Sequence, residues 1–231
     1  MTGAPACNPR SGLVALRHPL SHLRESLTRQ RKTGIVAIGS SSTAGEGDVV
    51  PYPHRLELAL RKRFVGRMID VLNRGIGGQE APEELARFEP DVLAEAPALV
   101  IWQVGTNAIY HRDLYDPHQV ADHIATGLSW LKQTQTDVVL MDLQYAPALL
   151  QDKEADTRLM VSLIAQAAEK AEVNLFRRFV LMEQWVKDGV DIGRLISGDG
   201  LHQTEFATGC MTTALDVAIG TAVGTVPGAA A

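Results

Sequence analysis

The chain has 231 residues, 45% hydrophobic and 21% charged, an ordinary balance for a globular protein long enough to bury a substantial core. Its formal net charge of -5 argues against a general nucleic-acid binder, which would carry a basic footprint. The two cysteines, Cys7 and Cys210, show no CxxC spacing, which argues against a disulfide framework or a zinc site.

Residues 1–33 carry Arg10, Arg17, Arg24, Arg29, Arg31 and Lys32 against a single acid, Glu25. Leu20, Leu23 and Leu27 recur at helical spacing and Pro19 suits a first turn. The spacing predicts a helix over about 19–31 with leucines inward and charges outward. The apolar run Leu13 to Leu16 is too short for a signal-peptide core, and no apolar run approaches a membrane span. A cytoplasmic protein is the expectation.

From residue 35 apolar strands alternate with helical patterns. Strands are predicted at 35–39, 68–72, 98–104, 137–142 and 173–176. Helices are predicted at about 52–65, 80–95 (interrupted by Pro90), 117–134, 153–171, 178–188 and 204–222. Strands apolar on both faces and separated by helices imply a parallel sheet of about five strands covered on both sides. The expected architecture is a flavodoxin-like three-layer α/β/α domain over 34–223, after a basic extension at 1–33 and before a loose tail at 224–231.

Ligands of such sheets sit beyond the carboxyl ends of the strands. "GSSSTAG" (39–45), "NRGIGG" (73–78) and "GTN" (105–107) each follow a strand there, and "DGLH" (199–202) precedes the last helix. Neither glycine-rich stretch binds nucleotide by its pattern. A P-loop needs a second glycine where Ala44 stands and a lysine after it, and "NRGIGG" is not GxGxxG. Acyl transfer needs a nucleophile, a base, a group that orients the base and donors for an oxyanion. Serine, histidine, aspartate and a glycine/asparagine pair supply that set. Strand alternation does not separate Ser40 from Ser41 as the nucleophile.

In this order the four motifs resemble the SGNH (GDSL-type) hydrolase family, over Ile35 to about residue 213 and without the first 33 residues. Aligning Gly39, Thr43 and Gly45 on the family's first block makes Ser41 the nucleophile. The resemblance implies an oxyanion hole of the Ser41 N–H, Gly75 and Asn107, and a His202 base oriented by Asp199. Three positions depart from the family: Ser40 and Ala108 stand at usual aspartate positions, and Gly77 where serine is common.

The implied activity is a serine esterase working through an acyl-enzyme without a cofactor. Its expected substrates are short-acyl esters, acetylated carbohydrate among them. Lipid esters, thioesters and transacylation are the alternatives with the same triad, and a non-catalytic binding module is the alternative of another class. Tyr110, Arg112 and Tyr115 lie in the loop after Asn107, and Tyr145 in the loop after the fourth strand, as candidate substrate contacts. No metal site is expected: His118 and His123 are five apart, which does not set two ligands on one helical face.

Overall fold

In the computed structural model, whose described residues are 8–226, the five apolar runs form one sheet in which every pairing is parallel. Its strands are β1 (Lys32–Gly39), β2 (Met68–Gly75), β3 (Leu99–Gln103), β4 (Asp137–Met141) and β5 (Asn174–Phe176), in the spatial order β2-β1-β3-β4-β5. All of β3 and the last five residues of β1 are buried on both faces, which is why these segments read as continuous apolar runs. Cys7 and residues 227–231 of the expected tail lie outside the described residues.

The first six helices among the described residues are α1 (Ser21–Arg29), α2 (Ser41–Ala44), α3 (Tyr52–Arg63), α4 (Ala81–Ala86), α5 (Phe88–Asp91) and α6 (Thr106–Tyr110). They are followed by α7 (Pro117–Leu131), α8 (Pro147–Leu150), α9 (Glu154–Ala171), α10 (Arg178–Lys187), α11 (Ile192–Leu195) and α12 (Glu205–Val223). α12 packs against α3 and α1, whereas α7 packs between α4 and α9. The result is the expected three-layer α/β/α arrangement.

Four local outcomes differ from the sequence pattern. The helix predicted over 80–95 breaks into α4, α5 and a 3-10 turn at Leu93–Glu95. Pro90 has no N–H for the Ala86 carbonyl, so the ladder stops where α4 ends. β2 runs on through Asn73 and Arg74 to Gly75, because an edge strand tolerates polar residues while its backbone still pairs with β1. α12 is long and apolar enough to cross a membrane, against the sequence expectation, but its buried side chains, Met211, Leu215 and Ile219 among them, belong to the core. Cys210 on this helix is disulfide-bonded, which departs from the expectation drawn from cysteine spacing.

α1 shows how the basic first segment joins the body. Leu20, Leu23 and Leu27 are fully or almost fully buried, while Arg24 and Arg29 face solvent. Its N-terminus has no side-chain cap of its own. Asp137 at the start of β4 supplies one, accepting from the Leu23 N–H at 2.9 Å.

The reversal of strand order falls between β1 and β3, where the crevice of an open parallel sheet opens. α2 and α6, which carry Ser41 and Asn107, follow those two strands.

If α1 is part of the core, Leu23→Ala should cost about 2–5 kcal/mol of unfolding free energy. Arg24→Ala on the opposite face should stay within about 0.5 kcal/mol. Urea unfolding of both variants measures this, and equal small effects would mean that the helix is only laid on the surface.

Candidate active site

The three serines have three different environments. Ser40 is 1% exposed, and both its N–H and its hydroxyl donate to Gln103 Oε1 at 3.0 Å. The Thr43 hydroxyl donates to the same oxygen at 3.2 Å. Gln103, the last residue of β3, thereby holds the turn that follows β1. Ser42 is tied to Gln144 Oε1 at 3.5 Å. Ser41, the first residue of α2, places its Oγ 3.0 Å from His202 Nε2. Tertiary geometry thus separates the two serines that strand alternation could not.

His202 sits on the turn before α12, and its Nδ1 lies 2.6 Å from Asp199 Oδ2. An ionised carboxylate only accepts, so Nδ1 carries the proton and Nε2 is left to accept from Ser41. Asp199 Oδ1 accepts from the Ser197 hydroxyl at 2.7 Å and from the N–H groups of Leu201 and His202 at 2.8 and 3.0 Å. Burial by itself would raise this carboxyl. Its donors outweigh burial and hold it well below the ordinary carboxylate range. Asp199 therefore stays ionised wherever the protein is folded near neutrality.

The oxyanion side differs from the resemblance in one residue. The Gly75 N–H is not free: it donates to Asn73 Oδ1 at 2.9 Å. Glycine is required there for packing, since a Cβ on Gly75 would overlap the backbone of Thr43 and Ala44. The turn after it runs past the nucleophile instead, and a Cβ on Gly77 would lie 3.8 Å from Ser41 Cβ. Among the described residues the N–H groups of Ser41, Gly77 and Gly78 have no hydrogen-bond partner. Asn107 is buried and donates from Nδ2 to the Gln79 carbonyl at 2.8 Å, which leaves its second amide N–H.

The cleft at Ser41 and His202 is small, about 20 Å³, and is walled by Gly45, Val49, Pro51 and Thr208. Larger cavities of about 410 and 610 Å³ contain no member of this triad. Of the expected substrate contacts, Tyr110 is exposed, with the Lys153 ammonium 5.3 Å from its ring centroid. Arg112 donates to the Asp152 carbonyl at 3.1 Å. Tyr115 packs partly buried against the core. Tyr145 stacks edge-on against Phe179 at 5.3 Å and lines an apolar shelf with Pro147, Leu150, Val186 and Ile192. That shelf borders the histidine turn, because the Ala148 N–H donates to the Gly200 carbonyl at 2.9 Å. Among the described residues no group of three or more His, Cys, Asp or Glu could hold a metal ion.

Sequence reasoning missed Gln144. Its Oε1 accepts from Thr106 at 3.0 Å and its Nε2 donates to the Leu201 carbonyl at 3.2 Å, joining the loops after β3 and β4 to the histidine turn. Only its place, just past a strand end in "LQYAPALL", marked it out.

The family model described as the Non-GDSL lipase-like family matches residues 6–225. The match takes in the basic first segment that the motif resemblance left out. Acetylxylan esterase Axe2 from Geobacillus stearothermophilus has the same fold at a TM-score of 0.72 and 18% identity, over 81% of this chain and 94% of that one. Catalytic mutants of Axe2 in which a serine, an aspartate or a histidine is replaced by alanine match similarly. LAE5, an α/β hydrolase from the metagenome of Lake Arreo, Spain, matches at a TM-score of 0.70 and 18% identity, over 81% of this chain and 96% of that one. A 75-residue stretch is 36% identical to the uncharacterized lipoprotein YqeF of Bacillus subtilis, over 32% of this chain and 31% of that protein. The chain thus aligns with under a third of that relative's length. The fold is related to that of the SGNH/GDSL hydrolases.

A fluorophosphonate probe should form its adduct on Ser41, mapped by peptide mass spectrometry. Ser40→Ala should still label, because the Ser40 hydroxyl is turned into Gln103. An adduct on Ser40 would show that the hydrogen-bonded pair at Ser41 and His202 is not the reactive one.

Proposed function

The chain belongs to the Non-GDSL lipase-like family, and we propose that it is a serine esterase cleaving short-acyl esters, with acetylated carbohydrate as its substrate class. The unbroken relay from Ser41 Oγ through His202 to Asp199, beside unbonded N–H donors, carries this reading. His202 Nε2 takes the Ser41 proton as Oγ attacks the ester carbonyl, and later gives it to the departing alcohol. Asp199 keeps the imidazole in the required tautomer and stabilises the imidazolium that forms. The Ser41 N–H, the second Asn107 amide N–H and the Gly77–Gly78 turn are the donors for the tetrahedral oxyanion, in place of Gly75. Water attacks the acyl-enzyme by the same proton route.

The cleft at Ser41 and His202 is narrow and leaves no room for a long acyl chain, which supports short acyl groups. The apolar shelf at Tyr145, next to the histidine turn, offers an aromatic platform for the alcohol part of the substrate, sugar rings included. The shared fold of an acetylxylan esterase supports the same substrate class.

The test is a panel of esters from acetyl to octanoyl, acetylated xylo-oligosaccharides and acyl-CoA. Acetyl esters should give the highest kcat/KM, with a steady fall as the acyl chain lengthens. Ser41→Ala should lose on the order of 10⁶ in kcat, and Asp199→Asn about 10⁴ through the wrong tautomer. Asn107→Ala should lose about 10²–10³ while still labelling at Ser41. Inactivity of the wild type on the whole panel would favour a binding module on the same fold.

A further inference from the structure

The turn that presents Asn107 cannot cap itself. Its N-cap position is Gly105, at φ +92°, where an L side chain is strained, and a Cβ would lie 2.6 Å from Ile164 Cδ1 and Leu143 Cδ2. Ser, Thr, Asp and Asn, the usual capping residues, are thereby shut out. The position after Asn107 is Ala108, fully buried and without the carboxylate common there in the family that the motifs resemble. Even so, the N–H groups of this five-residue helix are not left bare.

We propose that Glu80 is the positioning residue for Asn107, its carboxylate standing in from the β2 loop for the one that position 108 lacks. Glu80 is 1% exposed. Its Oε1 accepts from the N–H of Gly105 at 2.8 Å and of Ala81 at 3.0 Å, and its Oε2 from the N–H of Ala108 at 2.9 Å. One residue earlier, the Gln79 carbonyl takes the Asn107 side-chain amide. Two consecutive residues therefore hold the backbone on either side of Asn107 and its side-chain amide.

The charge is arranged for this task. Burial raises the Glu80 carboxyl, and its backbone N–H donors oppose that by favouring the ionised form. The neighbouring Glu84, buried and bonded to Trp102 Nε1 at 2.7 Å, is pushed well above the ordinary range by burial and then by the charge of Glu80. Three backbone N–H groups converge on Glu80 and a single indole N–H on Glu84, so of the two carboxyls Glu80 is the one better furnished to carry a charge. An aspartate at 108 would stand on a residue whose N–H is already 2.9 Å from Glu80 Oε2, so two carboxylates would compete for one set of donors.

The kinetic part of this inference rests on the esterase reading. Glu80→Gln keeps the shape but turns an NH₂ toward backbone N–H groups. It should lower kcat on acetyl esters by about 10- to 100-fold, the scale of a small misplacement of a catalytic group, with KM within about threefold. The amide proton resonances of Gly105 and Ala108 should shift upfield. Ala108→Asp should lower kcat in the wild-type background yet raise it in the Glu80→Gln background, a reversal that mere loss of stability does not produce. Should Glu80→Gln not fold, Glu80→Asp, which retracts the charge by one methylene, gives the same readouts. Unchanged kcat and unmoved resonances in the folded variant, or the same sign for Ala108→Asp in both backgrounds, would overturn the proposal. If the wild type cleaves no ester, the esterase reading fails separately, and the amide resonances alone decide whether Glu80 holds the turn.

Discussion

A wholly parallel sheet buried on both faces leaves the ends of all its strands at one edge, and the polar groups there must find partners inside the protein. A buried donor or acceptor left unpaired costs about 1–3 kcal/mol, more than a good hydrogen bond returns. The loops above this sheet answer that constraint by bonding to one another. Gln103 at the end of β3 serves the turn after β1, and Glu80 after β2 serves the turn after β3. Gln144 after β4 reaches Thr106 and the Leu201 carbonyl. Each of these loops is held by a side chain from another strand end or loop, so the catalytic groups inherit their spacing from the strand order.

The same arrangement sorts the carboxyl groups. Glu84 and Asp142 are buried, and burial drives both upward, Asp142 to about 7 despite the Phe179 N–H and the nearby Arg178. Asp199 is half exposed and surrounded by donors, and it is driven the other way. The carboxylate that must remain charged beside the histidine lies at the surface rim, where solvent and short hydrogen bonds sustain its charge. Glu84 and Asp142 lie in the interior, where burial favours the neutral form.

Two departures from the resembled family become intelligible in this light. Ser40, at a usual aspartate position, needs only a neutral acceptor, which Gln103 provides. Ala108, at another, is fully buried, and its N–H already finds a carboxyl acceptor in Glu80.

The sequence by itself determined the layers, the five strands and the helices α3, α7, α9, α10 and α12, because two-sided burial and 3.6-residue spacing are local patterns. It also placed Ser41 and Asn107 in motifs at strand ends, and Asp199 and His202 in a motif before the last helix. The short helices α2, α6, α8 and α11 at the functional edge were not legible, since four or five residues carry no periodicity. Only the tertiary structure decided between Ser40 and Ser41, because the choice depends on where His202 and Gln103, 161 and 63 residues away in sequence, come to lie. It likewise withdrew the Gly75 N–H from the oxyanion site, through the side chain of Asn73. Hydrogen bonds between loops have no sequence period, so the partners of a buried polar group emerge only when the strands are set side by side.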